Sequence, residues 1–525
     1  RLVFEQPETR LGAQVLSPYR FSHALVHQYL YDELGAAERR LLHADIAATL
    51  EGLAGSAADQ IALQLARHYD EARDSAKAAH YWTVAGEAAF ASYAHPEAIS
   101  AYSRALELAS DAQLSSGQLR QLYGRRGRAM ELMGQFEQAI RNYDEMLSAA
   151  QLLHDRLMEL DARVAASTLY STPTAVVDPV RGRQLSEETL KLADELGDQA
   201  AECRVLWNLL LASLQDSNAQ AAIEYGERSL ALARSLNLRE QRAYTLSDLG
   251  WAYNVAARFE EAEACMSEAA GLWRELNNMP LLTNNLNAWM FNLYWSGKNE
   301  KALEIAAESL EISRTTRNIW NMGWPRHLQG LVHLEFGQTA IALDELRSSI
   351  DLAVEANTPV YADWYRADLI AAYTALGDLQ RAGELYAQWR VPDQRVAMSP
   401  GRTPTLVAYA RYEIAAGMLD TAAATLAACH ATGAVWDYLL GVAQANLALA
   451  CKDAGQAIAI VASLAERARA AKVGQYLPEA LWLLGMAYDL NGERARARLA
   501  LDEALGAAQA IGSVRLAAHI AEAMA

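Results

Sequence analysis

Apolar residues recur at spacings of three and four along most of this chain, with polar residues between them, which is the signature of amphipathic helices. The runs 300–316 and 340–356 carry the pattern with no Pro or Gly inside. The pattern breaks at a small residue or turn eleven times: at Tyr93, Gly134, a disturbed unit around Val177, Ser217, Ala257, Gly297, Gly337, Gly377, Gly417, Gly455 and Gly492. From Ser217 to Gly417 the step is 40 residues each time, then 38 and 37. A fixed period in this range means stacked helix pairs, each touching only its neighbours, rather than one globular core.

The fold expected is therefore all-α: a right-handed superhelical solenoid of about eleven helix pairs of about 40 residues over 78–512, with a capping helix at 513–525. One unit departs from the rule. Pro173 and Pro179 forbid a continuous helix between Tyr170 and Arg181, so a longer loop is expected there.

Residues 1–77 do not repeat. Leu2, Val3 and Phe4, then 15–21, read as strands around a turn at 7–12, so a β-hairpin is expected. Ser22 reads as the N-cap of a helix carrying Leu25, Val26, Tyr29 and Leu30, which stops near Gly35, and further helices are expected at 37–53 and 58–71.

Around the turns a finer pattern repeats. Leu249, Gly250 and Tyr253 precede Ala257, and Ala262 and Ala269 follow it; Leu484, Gly485 and Tyr488 precede Gly492, and Ala497, Leu501, Ala504 and Leu505 follow it. Trp82, Gly86, Ala98, Tyr102, Ala105 and Leu106 sit alike around Tyr93. This resembles the tetratricopeptide repeat, whose usual unit is about 34 residues. About six extra residues per unit are expected to lengthen the second helix by a turn or more. The small residue at Gly250 or Gly485 is expected to admit the partner helix, and Tyr253 or Tyr488 to fill the space between units.

The run YRFSHALVHQYLYDEL, followed by ERRLLHADIAATLE and QIALQLARHYDEA, resembles the junction in signal-transduction ATPases of the STAND class, such as maltose-regulator-type activators and cyclase-linked ATPases. The resemblance implies that 1–35 are the end of a winged-helix-like module, that 36–77 are linking helices, and that a nucleotide-binding domain lies upstream as a partner. The chain opens at Arg1, within what reads as a strand, which fits that expectation. No GxxxxGK[ST] loop is present, since Gly297 and Lys298 lack both flanking elements, so no ATP hydrolysis is assigned to this chain.

With 64 acidic and 46 basic residues the net charge is −18, which opposes direct nucleic-acid binding. The basic runs at 181–185 and 494–498 read as solvated helix faces. Cys203, Cys265, Cys429 and Cys451 are far apart and read as buried free thiols, and the Ala-rich run 421–436 is broken by His430 and Gly433 before it could span a membrane. Cytoplasmic residence is expected. His23 and His27 share a helix face, and His43 is the nearest third donor, yet no HExxH, GxSxG or GxGxxG motif accompanies them; no metal, cofactor or catalytic residue is assigned.

In a stacked array the first helices line the concave face, and positions 13, 10, 9, 6, 3 and 2 before each turn point inward. For Gly297 that offset selects Asn284, Asn287, Phe291, Tyr294 and Trp295, and for Ala257 it selects Tyr244, Asp248, Trp251 and Asn254. It adds Trp207 and Asn208 in the unit before, Trp324 and His327 in the unit after, and Trp364 and Asp368 beyond. Asn pairs with a peptide backbone and Trp or Tyr offers flat apolar area, so this stripe is the expected groove for a protein, a peptide or a small-molecule effector. Arg326 and Arg366 stand where a packing Trp is usual, with Asp363 and Asp368 as candidate partners. The function expected is a regulatory sensor and protein-interaction module of a multidomain ATPase or transcriptional regulator; the alternative is a constitutive scaffold.

Overall fold

Every helix from Ala219–Ser235 to Pro359–Ala375 has 17 residues, so each is about 25 Å long. The computed structural model describes residues 2–11, 14–17, 19–172, 174–390, 402–429 and 433–525. Gly12, Pro18, Pro173 and His430 lie outside the described residues.

The connection between successive helices explains the period. Left-handed residues stand at Ser217, Asn237, Ala257, Asn277, Gly297, Arg317, Gly337, Asn357 and Gly377, one every 20 residues. At each, two backbone bonds close the helix, as where Gly297 N–H donates to Tyr294 and Lys298 N–H to Leu293. That is the Schellman ending, which satisfies carbonyls the helix leaves open. The next residue then starts the following helix: the side chains of Asn218, Asn278, Asn318, Asp378 and Asp453 each accept a bond from a first-turn N–H. Two such steps make the 40-residue unit. The extra length over a 34-residue unit is not confined to the second helix, because both helices are equally long.

The landmark at Gly455 was misplaced. The left-handed residue there is Lys452, and Gly455 lies inside the Ala454–Ala470 helix. From Lys452 the 20-residue step resumes through Lys472, Gly492 and Gly512. The irregularity lies upstream instead, in the shorter Leu419–Ala427 helix. The disturbed unit does contain the longer connection, between Arg156–Ser171 and Pro179–Leu196, with Pro179 at the first helical turn and Asp178 as its cap.

Within each pair the glycine argument holds. A Cβ on Gly250 would lie 2.8 Å from Met266, and one on Gly485 2.6 Å from Leu501. Tyr253 is buried, and its hydroxyl donates to Glu227 of the preceding unit at 2.6 Å.

Two compact units divide the chain, Arg1–Leu209 and Leu210–Ala525. The first opens on an interrupted hairpin, with Val3–Glu5 antiparallel to Tyr19–Phe21 and Thr9–Leu11 antiparallel to Gln14–Leu16. Ser22 is not a helix cap. Its N–H and hydroxyl both donate to the Leu2 carbonyl, extending the ladder, and the Ala24–Glu33 helix starts after His23. Helices Ala36–Ala54 and Ala62–Glu71 follow as expected, with a 3₁₀ segment, Gly55–Ile61, between them.

The second unit folds back on itself. Lys472–Gln475 and Ile511–Arg515, which precede the helices Leu477–Leu490 and Val514–Met524, meet turns that lie some 170 to 220 residues earlier in the chain. Gln475 N–H donates to the Trp295 carbonyl at 3.1 Å, and Asn299 Nδ2 donates to the Ile511 carbonyl at 2.9 Å. Gly474 sits so close that a Cβ would fall 2.4 Å from the Ser296 oxygen. Gly474→Val is therefore expected to lower stability by on the order of 1–3 kcal/mol and to enlarge the radius of gyration measured by small-angle X-ray scattering. An unchanged radius and unfolding midpoint would mean that this approach is not what closes the unit.

Candidate functional site

The inward face of the first helices in the second unit carries the stripe read from sequence, but most of it is covered. Asn254, Asn287, Phe291, Tyr294, Trp295, His327 and Trp364 are buried rather than exposed. For Trp295 and Trp364 the fold-back supplies part of the cover: the Trp436 ring, from Ala434–Ala450, lies 5.6 Å from the first and 6.3 Å from the second. Phe291 joins the cluster, 5.6 Å from both Trp295 and Trp324 and 6.1 Å from His327. These tilted and edge-on contacts are the favoured aromatic geometries.

The asparagines serve one another. Asn292 Nδ2 donates to Asn254 Oδ1 at 2.7 Å, Asn287 Nδ2 to Asn321 Oδ1 at 3.1 Å, and Ser309 donates to Asn287 Oδ1 at 2.6 Å. They lock adjacent helices, and their geometry is not that of a free peptide clamp. In the first unit, Trp207 is buried and Asn208 Nδ2 donates to Ser167 and Thr168, so these two also lie inside the stack. Asn284 is exposed, and Tyr244, Asp248, Trp251, Trp324 and Asp368 are half-buried; these keep an accessible part of the stripe. Trp251 leans on Trp295 at 5.9 Å, and Tyr244 meets Trp273 edge-on at 5.0 Å.

Arg366 pairs with Asp363 at 3.2 Å, one of the two expected partners, and lies 5.5 Å from the Trp389 ring, whereas Arg326 pairs with Glu345 at 2.6 Å and Asp368 meets His327 instead. The stripe continues further than the five units read from sequence. Arg411 and Glu479, at 6 and 13 before Gly417 and Gly492, satisfy the same offset rule and meet at 2.9 Å. Glu335, two before Gly337, pairs with Arg515 at 2.7 Å. Arg515 lies at the start of the Val514–Met524 helix, three residues after the turn at Gly512, and falls outside the offset rule.

The histidines near the start form a different group. His43 Nε2 lies 2.9 Å from the Tyr31 hydroxyl, and its Nδ1 lies 2.8 Å from His68 Nδ1, at a cleft of about 620 Å³ that Gln64, Arg67 and Glu71 also line. Burial lowers the pKa of His68, and the His43 charge adds to the effect. Among the described residues no group of three or more His, Cys, Asp or Glu side chains is arranged to hold a metal ion.

Of the four cysteines, Cys203 and Cys429 are buried, but Cys265 is half-buried and Cys451 exposed, contrary to expectation. Cys451 ends the Ala434–Ala450 helix at a turn, where its side chain meets solvent, and burial pushes the Cys265 thiol up to about 12. The basic run at 494–498 is a solvated face: Arg496 pairs with Glu493 and Arg498 with Asp502. No helix among the described residues is long and apolar enough to cross a membrane.

These helix pairs, their period and their small-residue contacts define an all-α solenoid of tetratricopeptide-like units. No protein-family model matches the chain, and no curated protein matches it. Among solved structures it is similar to a Rap protein complexed with competence and sporulation factor, with 13% identity and a TM-score of 0.47 over 75% of this chain and 98% of that one. It is also similar to the STAND protein with a tetratricopeptide repeat sensor from Pyrococcus horikoshii, with 13% identity and a TM-score of 0.42 over 66% of this chain and 58% of that one. Yeast Tom70 is similar over 92% of this chain and 96% of its own, at 12% identity and a TM-score of 0.37.

Proposed function

We propose that this chain is the regulatory sensor and protein-interaction region of a multidomain signal-transduction ATPase or transcriptional regulator. The observation that carries the reading is the concentration of aromatic and charged side chains on the inward face of successive first helices, part of it still accessible at Tyr244, Asp248, Trp251, Asn284 and Trp324. A surface shared among many units is suited to regulation, because small rotations between neighbours sum along the array and a ligand can favour one curvature over another. The start of the chain supports the multidomain part. The Ala24–Glu33 helix buries none of its residues, and Leu25 is 82% exposed, which suits a helix that docks on a preceding module.

Native mass spectrometry of the chain, purified from its own host and compared with its denatured mass, tests the reading. A small excess mass is expected on the wild type and is expected to be lost from Trp251→Ala/Trp324→Ala. A protein-sized excess would favour the constitutive scaffold instead. A bare mass, even after incubation with host extract, would remove both.

A further inference from the structure

Five charged side chains from five different helices converge inside the second unit. Arg411, from Arg402–Ala415, donates through Nη2 to Glu479 at 2.9 Å, and Arg515 donates to Glu335 at 2.7 Å. Asp368 takes the third place, 2.7 Å from Nε2 of the fully buried His327. The two pairs are joined through the Val514–Met524 helix, which packs against both Leu477–Leu490 and Ile319–Glu335, and Arg411 feels the Arg515 charge while Arg515 feels that of Glu479. Burial disfavours the charge on both arginines, and the paired glutamates more than restore it.

The hydrogen-bond inventory is lopsided. Glu335 is satisfied at both oxygens, by Arg515 and by the Ser513 hydroxyl. Among the described residues the buried Arg515 Nε has no partner. Arg411 has five N–H donors, of which one bond to Glu479 is the only one made among the described residues, and a quarter of its side chain, 25%, is accessible. A buried donor without an acceptor is costly, so the centre calls for an acceptor-rich group. A carboxylate matches a guanidinium fork best. The Trp295 and Trp436 rings, 5.6 Å apart, connect to this centre through Phe291, which lies 5.6 Å from Trp295 and 6.1 Å from His327, and through Trp364, which meets His327 edge-on at 5.3 Å and Trp436 at 6.3 Å.

We propose that the interior of the second unit binds a small carboxylate attached to a flat apolar body, with Arg411 and Arg515 Nε–H taking the carboxylate and the tryptophans the body. This rests on the effector reading above and names the ligand class for it. A free acid and the C-terminus of a short peptide carry the same chemistry.

The test uses the full chain and calorimetric titration with 3-phenylpropionate against its primary amide, and with Gly-Gly-Phe against its C-terminal amide. The acid of at least one pair is expected to bind about tenfold or more tighter than its amide, and the pair that does so identifies the source. Arg411→Met/Glu479→Met removes both partners, leaves no unpaired buried charge, and is expected to fold, as circular dichroism will show, while losing the preference. Equal binding of acid and amide, no binding of either pair, or a preference that survives the double substitution would overturn the assignment. An excess native mass on the wild type alongside any of those results would leave the effector reading standing and remove only this ligand class.

Discussion

Trp295→Ala is expected to destabilise the chain by about 3–5 kcal/mol in urea unfolding followed by circular dichroism, the range for truncating a buried aromatic. The ring is 4% exposed and touches Trp251, Phe291 and Trp436, and the Trp295 carbonyl takes the Gln475 N–H. In a simple stack, a mutation weakens one unit and its two neighbours. Here Trp436 belongs to a helix far along the chain, so the variant is also expected to expose the Ala434–Ala450 helix to hydrogen exchange. Trp320→Ala is the control: that ring is 41% exposed, and its loss is expected to cost less than about 1 kcal/mol. A Trp295 variant within about 1 kcal/mol of wild type, with unchanged exchange in that helix, would show that the aromatic cluster does not join distant units.

The difference between these two tryptophans shows where sequence reading stops. Both lie on first helices, but the offset from the turn placed only Trp295 on the inward face, since Trp320 stands 17 before Gly337 and falls outside it. That offset is local physics, since 3.6 residues per turn and a left-handed terminator fix which residues share a face. The glycine at Gly250 was legible for the same reason, because it must clear a partner only one helix away. Burial of Trp295 depends on a helix that returns from 141 residues later, and no periodicity encodes that contact. The offset even marks Arg411 and Glu479 once it is carried past Gly377, yet it cannot say that the two meet. Assigning the turn to Gly455 was a composition error: glycine is favoured at positive φ but not required, and Lys452 holds it instead.

Glu335→Ala is expected to be as damaging as the tryptophan change, at about 3–5 kcal/mol, because it strands a buried guanidinium and removes the acceptor of the Ser513 hydroxyl. The loss should fall on the fold-back, since Glu335 ends the Ile319–Glu335 helix whereas Ser513 and Arg515 belong to the start of the last one. Glu335→Met/Arg515→Met is expected to recover most of the stability, as replacing a buried pair by apolar side chains of similar volume is often neutral. The two single variants and the double, measured by urea unfolding, form a cycle whose coupling term isolates the pair. Additive losses would mean that the two charges do not depend on each other. A large coupling with a fully recovered double variant would mean that the apolar and backbone contacts around Gly474 suffice to close the unit, and that the charges are retained for a different purpose. The unpartnered Arg515 Nε is consistent with that purpose being a ligand, because a pair kept only for closure gains nothing from a buried donor left without an acceptor.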